Sequence, residues 1–426
     1  MAQKLKFGNG TWATKKGSTL AYNDENNNYK PLPFTTTRGS IATRVNKEGL
    51  IEVVGNDIPR IDYTDSADGA LLLEPSRSNL ITYSEDFSNG VWNIGGATTI
   101  ILDNLLSPDG EQSSYKQVEN NTINSFSTRY STSISYTSGL KYTTSIFAKS
   151  DNRNLMIRSY NGSSDIDTIF DLSNGTILSG STGEIKDYGN GWYRCSHTIT
   201  AQSTINTAYS ASFVLANGSS YSYQGDGTSG IYIWGAQVEQ GSYPTSYIPT
   251  SGSSVTRQAD TASGAGNSEV FGNNGGVLFW NSKAFDNIGN LALTGGNGTN
   301  AERFQLYFDT TTDRIKSNVV TGNVAIAPMQ SQVLDVTAFH KCANSFANNN
   351  HALWVDGFKV DTDTSGGVSQ GVNRLNFDNG TGTSDFYGKT KELGYYDTAL
   401  TDLELEYLTS YRSLNELVTE LNLNTL

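Results

Sequence analysis

Short alternating strands closed by turns run through almost the whole 426-residue chain and constrain its fold most. Ile166, Thr168, Phe170 and Leu172 fall on one face while Asp165, Asp167 and Asp171 fall on the other. Tyr209, Ala211, Phe213 and Leu215 repeat the pattern, as do Tyr232, Trp234, Ala236 and Val238, and later Phe304, Leu306 and Phe308. Such strands bury one face, which suits antiparallel sandwiches and not parallel sheets. Six Asn-Gly-Ser/Thr triplets, at Asn9, Asn161, Asn174, Asn217, Asn297 and Asn379, are read as type I′ hairpin turns. The fold class expected is all-β.

Composition agrees. Forty-three Gly and a hydrophobic fraction of 36% are unusual for a helical protein, while 23 Tyr, 17 Phe and 6 Trp are too many for a disordered polymer. At this length more than one core is expected. Residues 1–80, proline-bearing and carrying most of the basic excess, are set apart as an N-terminal anchor segment. Two tandem antiparallel β-sandwich (jelly-roll) domains follow over 81–250 and 271–400, joined by a Gly/Ser-rich linker over 251–270. Residues 401–426 read as short C-terminal helices, because Thr401-Asp-Leu-Glu404 and Ser413-Leu-Asn-Glu416 both fit a capping box. Leu414, Leu417, Val418 and Leu421 would then form a narrow apolar stripe, which docks on the preceding sandwich or meets copies of itself.

The net charge of −13 is uneven: residues 1–60 hold nine Lys/Arg against five Asp/Glu. The acidic body argues against nucleic acid as a partner. The opening Met-Ala-Gln-Lys-Leu-Lys-Phe-Gly has no apolar stretch, so no secretory signal is expected, and no run is long enough to insert in a membrane. Cys195 and Cys342 are too far apart and too few for a disulfide framework or a thiolate metal site.

Chemistry-bearing patterns are sparse. Asp402, Glu404 and Glu406 are the densest carboxylate cluster, but the capping box puts them in a first helical turn, where the helix dipole stabilises acids without catalysis. His197, His340 and His351 show no metal-ligand spacing, although His340 and His351 fall on what read as adjacent strands. No catalytic residue is nominated and no enzyme is expected. Binding asks less: exposed aromatics stack on apolar sugar faces, and the candidates for carbohydrate contact are Trp92, Trp192, Tyr193, Tyr221, Tyr223 and Trp354, with Trp234 assigned to the core.

The segments Leu5-Lys-Phe-Gly-Asn-Gly-Thr-Trp-Ala, Arg38-Gly-Ser-Ile-Ala-Thr-Arg-Val-Asn-Lys-Glu-Gly-Leu and Leu71-Leu-Leu-Glu-Pro-Ser-Arg-Ser-Asn-Leu-Ile resemble phage head spike and fibre proteins, including those of crAss-like phages. Ser78 stands where that pattern usually has Thr. Gly191-Trp-Tyr-Arg and Ile233-Trp-Gly-Ala-Gln-Val-Glu-Gln-Gly-Ser-Tyr-Pro resemble the closing strands of a carbohydrate-binding-module-like jelly roll. Leu353-Trp-Val-Asp-Gly-Phe-Lys-Val and Phe386-Tyr-Gly-Lys resemble a concanavalin A/laminin G-like sandwich that lacks the E-x-D-x-x-E strand of its glucanase relatives.

The resemblance implies a virion protein, assembled in the bacterial cytoplasm and released by lysis. It would be a capsid fibre adsorbing to host or mucosal glycans, with a tail-associated receptor-binding fibre or a glycan depolymerase as alternatives. It implies a homo-oligomer, a trimer first, anchored to the major capsid or another virion protein through Phe7, Trp12, Tyr22 and Phe34. No cofactor is expected; a structural calcium ion is left open, since concanavalin-like domains often hold one, and the metal is unassigned.

Overall fold

The computed structural model describes residues 3–8, 12–15, 18–23, 28–96, 98–207, 211–285 and 290–421. It is an all-β structure with two short helices near its C-terminal end, in line with the alternation read from sequence. The chain forms two compact units, and they interleave along it. Unit 1 takes residues 1–39, 55–75 and 259–426; unit 2 takes 40–54 and 76–258. The stretch 1–80 is therefore shared between the units, and the stretch 251–270 contains strands Val255–Arg257 and Thr261–Ser263.

Unit 1 packs an eight-stranded sheet against a six-stranded one. The first runs in the order Phe358–Asp363, Asn350–Val355, His340–Ala347, Gly276–Ala284, Gly388–Tyr396, Ala70–Leu73 and Arg60–Asp62. Gly388–Tyr396 pairs along its length with Gly276–Ala284; its other partners are Ala70–Leu73, at residues 388–390, and the N-terminal strand Gln3–Gly8, at residues 392–396. The second sheet contains Asn290–Gly296, Arg303–Asp309 and Arg314–Thr321. Trp280, Leu393 and Tyr395 from one sheet meet Leu293, Phe304, Leu306 and Phe308 from the other in the core, where Trp280 lies edge-on to Phe308 with centroids 5.2 Å apart.

Unit 2 has two six-stranded sheets. One runs Trp92–Gly95, Ser127–Tyr130, Ser212–Ala216, Asn154–Tyr160, Asp165–Asp171, Thr176–Ser179. The other runs Thr99–Leu102, Tyr115–Val118, Gly230–Gln240, Lys141–Asp151, Trp192–Thr200, Gly183–Asp187. Phe213, Leu215, Leu155, Ile157 and Phe170 from the first sheet interleave with Ile146, Ala148, Cys195 and Ile199 from the second.

Two local readings need correction. Tyr232, Trp234, Ala236 and Val238 do not share a face. Gly235 takes φ +63°, and the register between Lys141–Asp151 and Gly230–Gln240 shifts beside it. Ile231 and Ile233 point into the main core before the bulge and Ala236 and Val238 after it, while Trp234 joins a second cluster with Phe147, Trp192, Tyr247, Val45 and Ile51. One inserted residue exchanges the faces because the side-chain period is two.

The Asn-Gly triplets are not type I′ turns either, for that turn needs φ > 0 at both central residues. Gly162, Gly175, Gly218, Gly298 and Gly380 have positive φ but the Asn before each does not. In three of them the Asn oxygen instead accepts backbone N–H groups two or three residues on, as Asn161 does from Ser163 and Ser164 at 2.9 and 2.8 Å. The triplet at Asn9 lies outside the described residues. Paired positive φ angles occur instead at Asn190-Gly191, Gly322-Asn323 and Asp356-Gly357.

The helices form where the caps place them: α1 is Asp402–Thr409 and α2 is Leu414–Glu420. Thr401 and Glu404 make a reciprocal capping box, and Ser413 accepts from the Glu416 amide. Of the expected stripe, the Leu414 side chain lies outside the described set, and Leu417, Val418 and Leu421 are half-buried.

Candidate functional site: a hydroxyl-lined cleft in unit 2

Alternation along Trp192–Thr200 decides what the outer face of its sheet presents. Tyr193, Cys195 and Ile199 pack toward the main core, so Trp192, Arg194, Ser196, Thr198 and Thr200 share the opposite face. Trp192 and Arg194 are covered there: the indole packs in the second cluster and donates to the Leu106 carbonyl at 2.9 Å, and the guanidinium donates to the Thr245 carbonyl at 2.7 Å. Beyond them Ser196, Thr198 and Thr200 line an open cleft of about 360 Å³. Lys141 pairs across from Thr200 and Glu184 from Ser196, so one cation and one anion stand at opposite ends of the row. The row spans roughly 13 Å at the rise of a strand, the length of a short oligosaccharide.

The opposite wall is Ser242, Tyr243 and Pro244, and it is held firmly. Thr198 Oγ1 donates to the Ser242 carbonyl at 3.2 Å, and Thr143 Oγ1 donates to the Gly241 carbonyl at 3.0 Å. Beneath the wall the buried Glu239 carboxylate accepts from the Thr245 amide (2.8 Å), the Thr245 hydroxyl (2.7 Å) and Gln237 Nε2 (2.7 Å). Burial raises the Glu239 pKa, and those donors work against the rise. The Tyr243 ring has the Arg77 guanidinium 5.9 Å from its centroid. A row of neutral hydroxyls facing one aromatic wall matches the polar edges and apolar faces of a sugar.

The sequence-nominated aromatics do not gather into one site. Trp92 is buried, stacks near Phe87 at 4.9 Å and donates to the Tyr83 carbonyl at 3.0 Å. Trp192 is buried as described, Tyr193 is half-buried against the core, and Trp354 lies buried in unit 1 among Val277, Ala343 and Leu405. A buried ring offers no face to a sugar; large rings on alternating strands were claimed by packing. Tyr223 is half-buried, its hydroxyl donating to Glu119 at 2.6 Å. Tyr221 is 40% exposed, with the Arg158 guanidinium 4.9 Å over its ring and that guanidinium doubly bonded to Asp167 at 2.7 Å. Among the anchoring candidates Phe34 is buried beside Phe377, centroids 4.9 Å apart, while the side chains of Phe7, Trp12 and Tyr22 lie outside the described set. Ser196, Thr198, Thr200 and Tyr243 were missed. Their signal was the Ser-x-Thr-x-Thr alternation following Trp192, a pattern too common on solvated strands to single out.

The histidines stay apart. His197 is buried in unit 2, where Nε2 meets Ser159 Oγ at 2.8 Å and burial pulls its pKa down to about 4. His340 and His351 do lie on adjacent strands, but His351 pairs with Phe346, so the two sit toward opposite ends of the ladder. Asp402 pairs with Lys359 and Glu404 caps α1, as a first helical turn would have them. Unnoticed in the sequence were Asp378 and Asp385 in unit 1: burial raises the pKa of both, and the charge of Asp378 adds to the rise at Asp385. Among the described residues no group of three or more His, Cys, Asp or Glu side chains is placed to hold a metal ion.

The architecture is that of a β-sandwich protein. No family model and no curated protein matches the sequence. Among solved structures, a Trypanosoma rangeli sialidase in complex with the inhibitor DANA is similar at 8% identity and a TM-score of 0.28, covering 69% of this chain and 60% of that one. A mutant of the same sialidase displaying trans-sialidase activity aligns at 11% identity and TM-score 0.27, covering 69% and 59%. Domains LG4-5 of the mouse laminin alpha1 chain align at 8% identity and TM-score 0.16, covering 69% and 85%. The chain thus spans less than two thirds of the sialidases it is similar to. The expectation of a non-enzyme is withdrawn, because sialidases stand among these neighbours. At these TM-scores the likeness carries no argument about the chemistry of this chain.

Proposed function

We propose that this chain is a glycan-adsorbing β-sandwich protein and that the cleft along Ser196, Thr198 and Thr200 is where the glycan binds. The observation that carries the reading is the cleft itself: three hydroxyl residues on one strand, running from buried Ser196 to exposed Thr200, an aromatic wall at Tyr243, and a wall loop fixed from below by Glu239. The resemblance of residues 38–92 to phage spike and fibre proteins supports placing it on a virion, as a capsid fibre in preference to a tail fibre and as a trimer in preference to a monomer.

Retention of the full-length protein on an array of bacterial surface and mucosal glycans tests the binding reading. Tyr243→Ala is expected to weaken retention about fivefold, since one aromatic stack is worth on the order of 1 kcal/mol. Thr198→Val, which keeps shape and removes the hydroxyl, is expected to weaken it by a smaller factor. Unchanged retention in both variants would remove the cleft from consideration. Reducing ends released during the same incubation report on glycan cleavage.

A further inference from the structure

The two helices cover the outer face of unit 1's eight-stranded sheet unevenly. α1 seats Leu405 and Leu408 on Val277, Ala343, Ala352 and Trp354. α2 is tied down by ion pairs, Glu416 to Lys341 at 2.5 Å and Glu420 to Lys391 at 2.6 Å. Between them a cavity of about 700 Å³ opens over the sheet, within the size range of sites that hold small organic molecules.

Its lining is apolar on the α1 side. Tyr396 and Leu400 are half-buried, and Leu403 and Tyr407 form the rim, 76% and 65% exposed. An i, i+4 pair of large apolar side chains left in water is an unusual way to finish a helix already docked by its other face. The charges on the α2 side mostly cancel. Lys6 faces Glu392 at 3.6 Å, Lys341 faces Glu416, and Glu404 is turned back onto Thr401. Arg412 is different. Its guanidinium lies 4.9 Å over the Tyr407 ring and among the described residues makes no salt bridge of its own, although the Glu416 and Glu392 carboxylates act on it from farther away.

We propose that this cavity binds an amphipathic anion, an aliphatic or aromatic body laid against Tyr396, Leu400 and Tyr407 with one acidic headgroup on Arg412. The apolar walls need a body to cover them, and the guanidinium, which alone among the three lining cations makes no salt bridge, sets the sign of the headgroup. The inference concerns unit 1 alone and stands or falls independently of the glycan cleft.

The probe is 8-anilinonaphthalene-1-sulfonate titrated into the full-length protein, then displaced by decanoate or by decyltrimethylammonium. Saturable fluorescence is expected, with decanoate displacing the probe at a concentration at least about tenfold below that of the cation. Arg412→Glu is expected to weaken probe binding by about tenfold or more and Arg412→Lys to restore most of it. Leu403→Glu, on an exposed rim position, provides a second variant should the first disturb folding, and is expected to act in the same direction. Equal displacement by anion and cation, or unaltered binding in both acidic variants, overturns the proposal. So does co-sedimentation with phosphatidylglycerol vesicles in the absence of decanoate binding, which would make the site a membrane contact.

Discussion

The two units solve the same problem, closing a sandwich from distant pieces of chain, with different groups. In unit 1 the ties are ionic. Lys389 is fully buried and reaches Asp62 at 2.7 Å and Asp65 at 2.5 Å, while Arg60 meets Glu74 at 2.8 Å and also pairs with Asp260. In unit 2 the crossing of residues 76–84 with 236–250 rests on amides and hydroxyls. Asn79 Nδ2 donates to the Ala236 and Ile248 carbonyls at 3.1 and 2.9 Å, and Ser84 Oγ lies 2.6 Å from the Tyr247 hydroxyl.

Two of the buried histidines, His197 and His340, follow the same division, whereas burial lowers the pKa of His351 in unit 1. His197 in unit 2 has only hydroxyls for partners, and burial pulls it down to about 4. His340 in unit 1 is also opposed by burial, but Asp356 at 2.6 Å and the Asp335 carbonyl at 2.8 Å outweigh that and raise its pKa. A buried ring is therefore a different acid depending on whether a carboxylate or a hydroxyl meets it.

The sharpest way to break the comparison is Lys389→Met, which takes the cation from buried Asp62 and leaves half-buried Asp65 with Lys283 at 3.1 Å. About 3–5 kcal/mol of stability is expected to be lost from unit 1. Urea unfolding, with hydrogen exchange assigning the loss to strands Ala70–Leu73 and Gly388–Tyr396, measures it. A loss under 1 kcal/mol would mean that the ionic tie is not what holds those strands. Adding Asp62→Leu to Lys389→Met is expected to recover part of the loss, because one orphaned charge is removed.

Next in size is acid sensitivity at His197. An unfolded histidine takes up its proton near 6.5 and the folded one near 4, so the contribution is whole above pH 6.5 and is lost as pH falls through 4. The loss amounts to about 3 kcal/mol. His197→Gln should flatten that limb of the stability profile in unit 2; a profile unchanged by the substitution would assign the acid loss to carboxylates instead.

The smallest effect is expected at His340 and carries the opposite sign. Its raised pKa makes the contribution whole below the unfolded value of 6.5 and lost as pH rises through the folded value. Asp356→Asn should abolish that alkaline decline in the stability of unit 1, whatever it costs at neutral pH. Persistence of the decline in this variant would show that another group titrates there.

Sequence patterns reached some of this and stopped at identifiable places. Alternation located Asp165–Asp171 and Arg303–Asp309 because alternate side chains enter a main core, Phe170 from the first and Phe304, Leu306 and Phe308 from the second. Thr401 and Ser413 marked both helices, since capping is a local interaction between residues three apart. The bulge at Gly235 was hidden because Ile231 and Ile233 are as apolar as Tyr232 and Trp234, leaving no polar phase to betray the switch. The division of the first 80 residues between two units was hidden for another reason. Gln3–Gly8 finds its partner in Gly388–Tyr396, and nothing near residue 8 records a pairing so far along the chain. In the cleft the aromatic candidates were chosen by residue type, while the residues that line it are small hydroxyls that identify themselves only when a wall stands opposite them.

The pairing of Gln3–Gly8 with Gly388–Tyr396 also sets a timetable. On a ribosome the first strand emerges long before its partner exists, and at about 5–20 residues per second the wait lasts roughly 20–80 s. Unit 2, whose residues end at Gln258, is fully synthesised while unit 1 still lacks most of its strands. Nascent chains thus pass through a stage with one finished sandwich and a bare N-terminal strand capable of pairing with a neighbouring copy. Emergence of Gly388–Tyr396, not the appearance of the first apolar strand, is the event that lets unit 1 close.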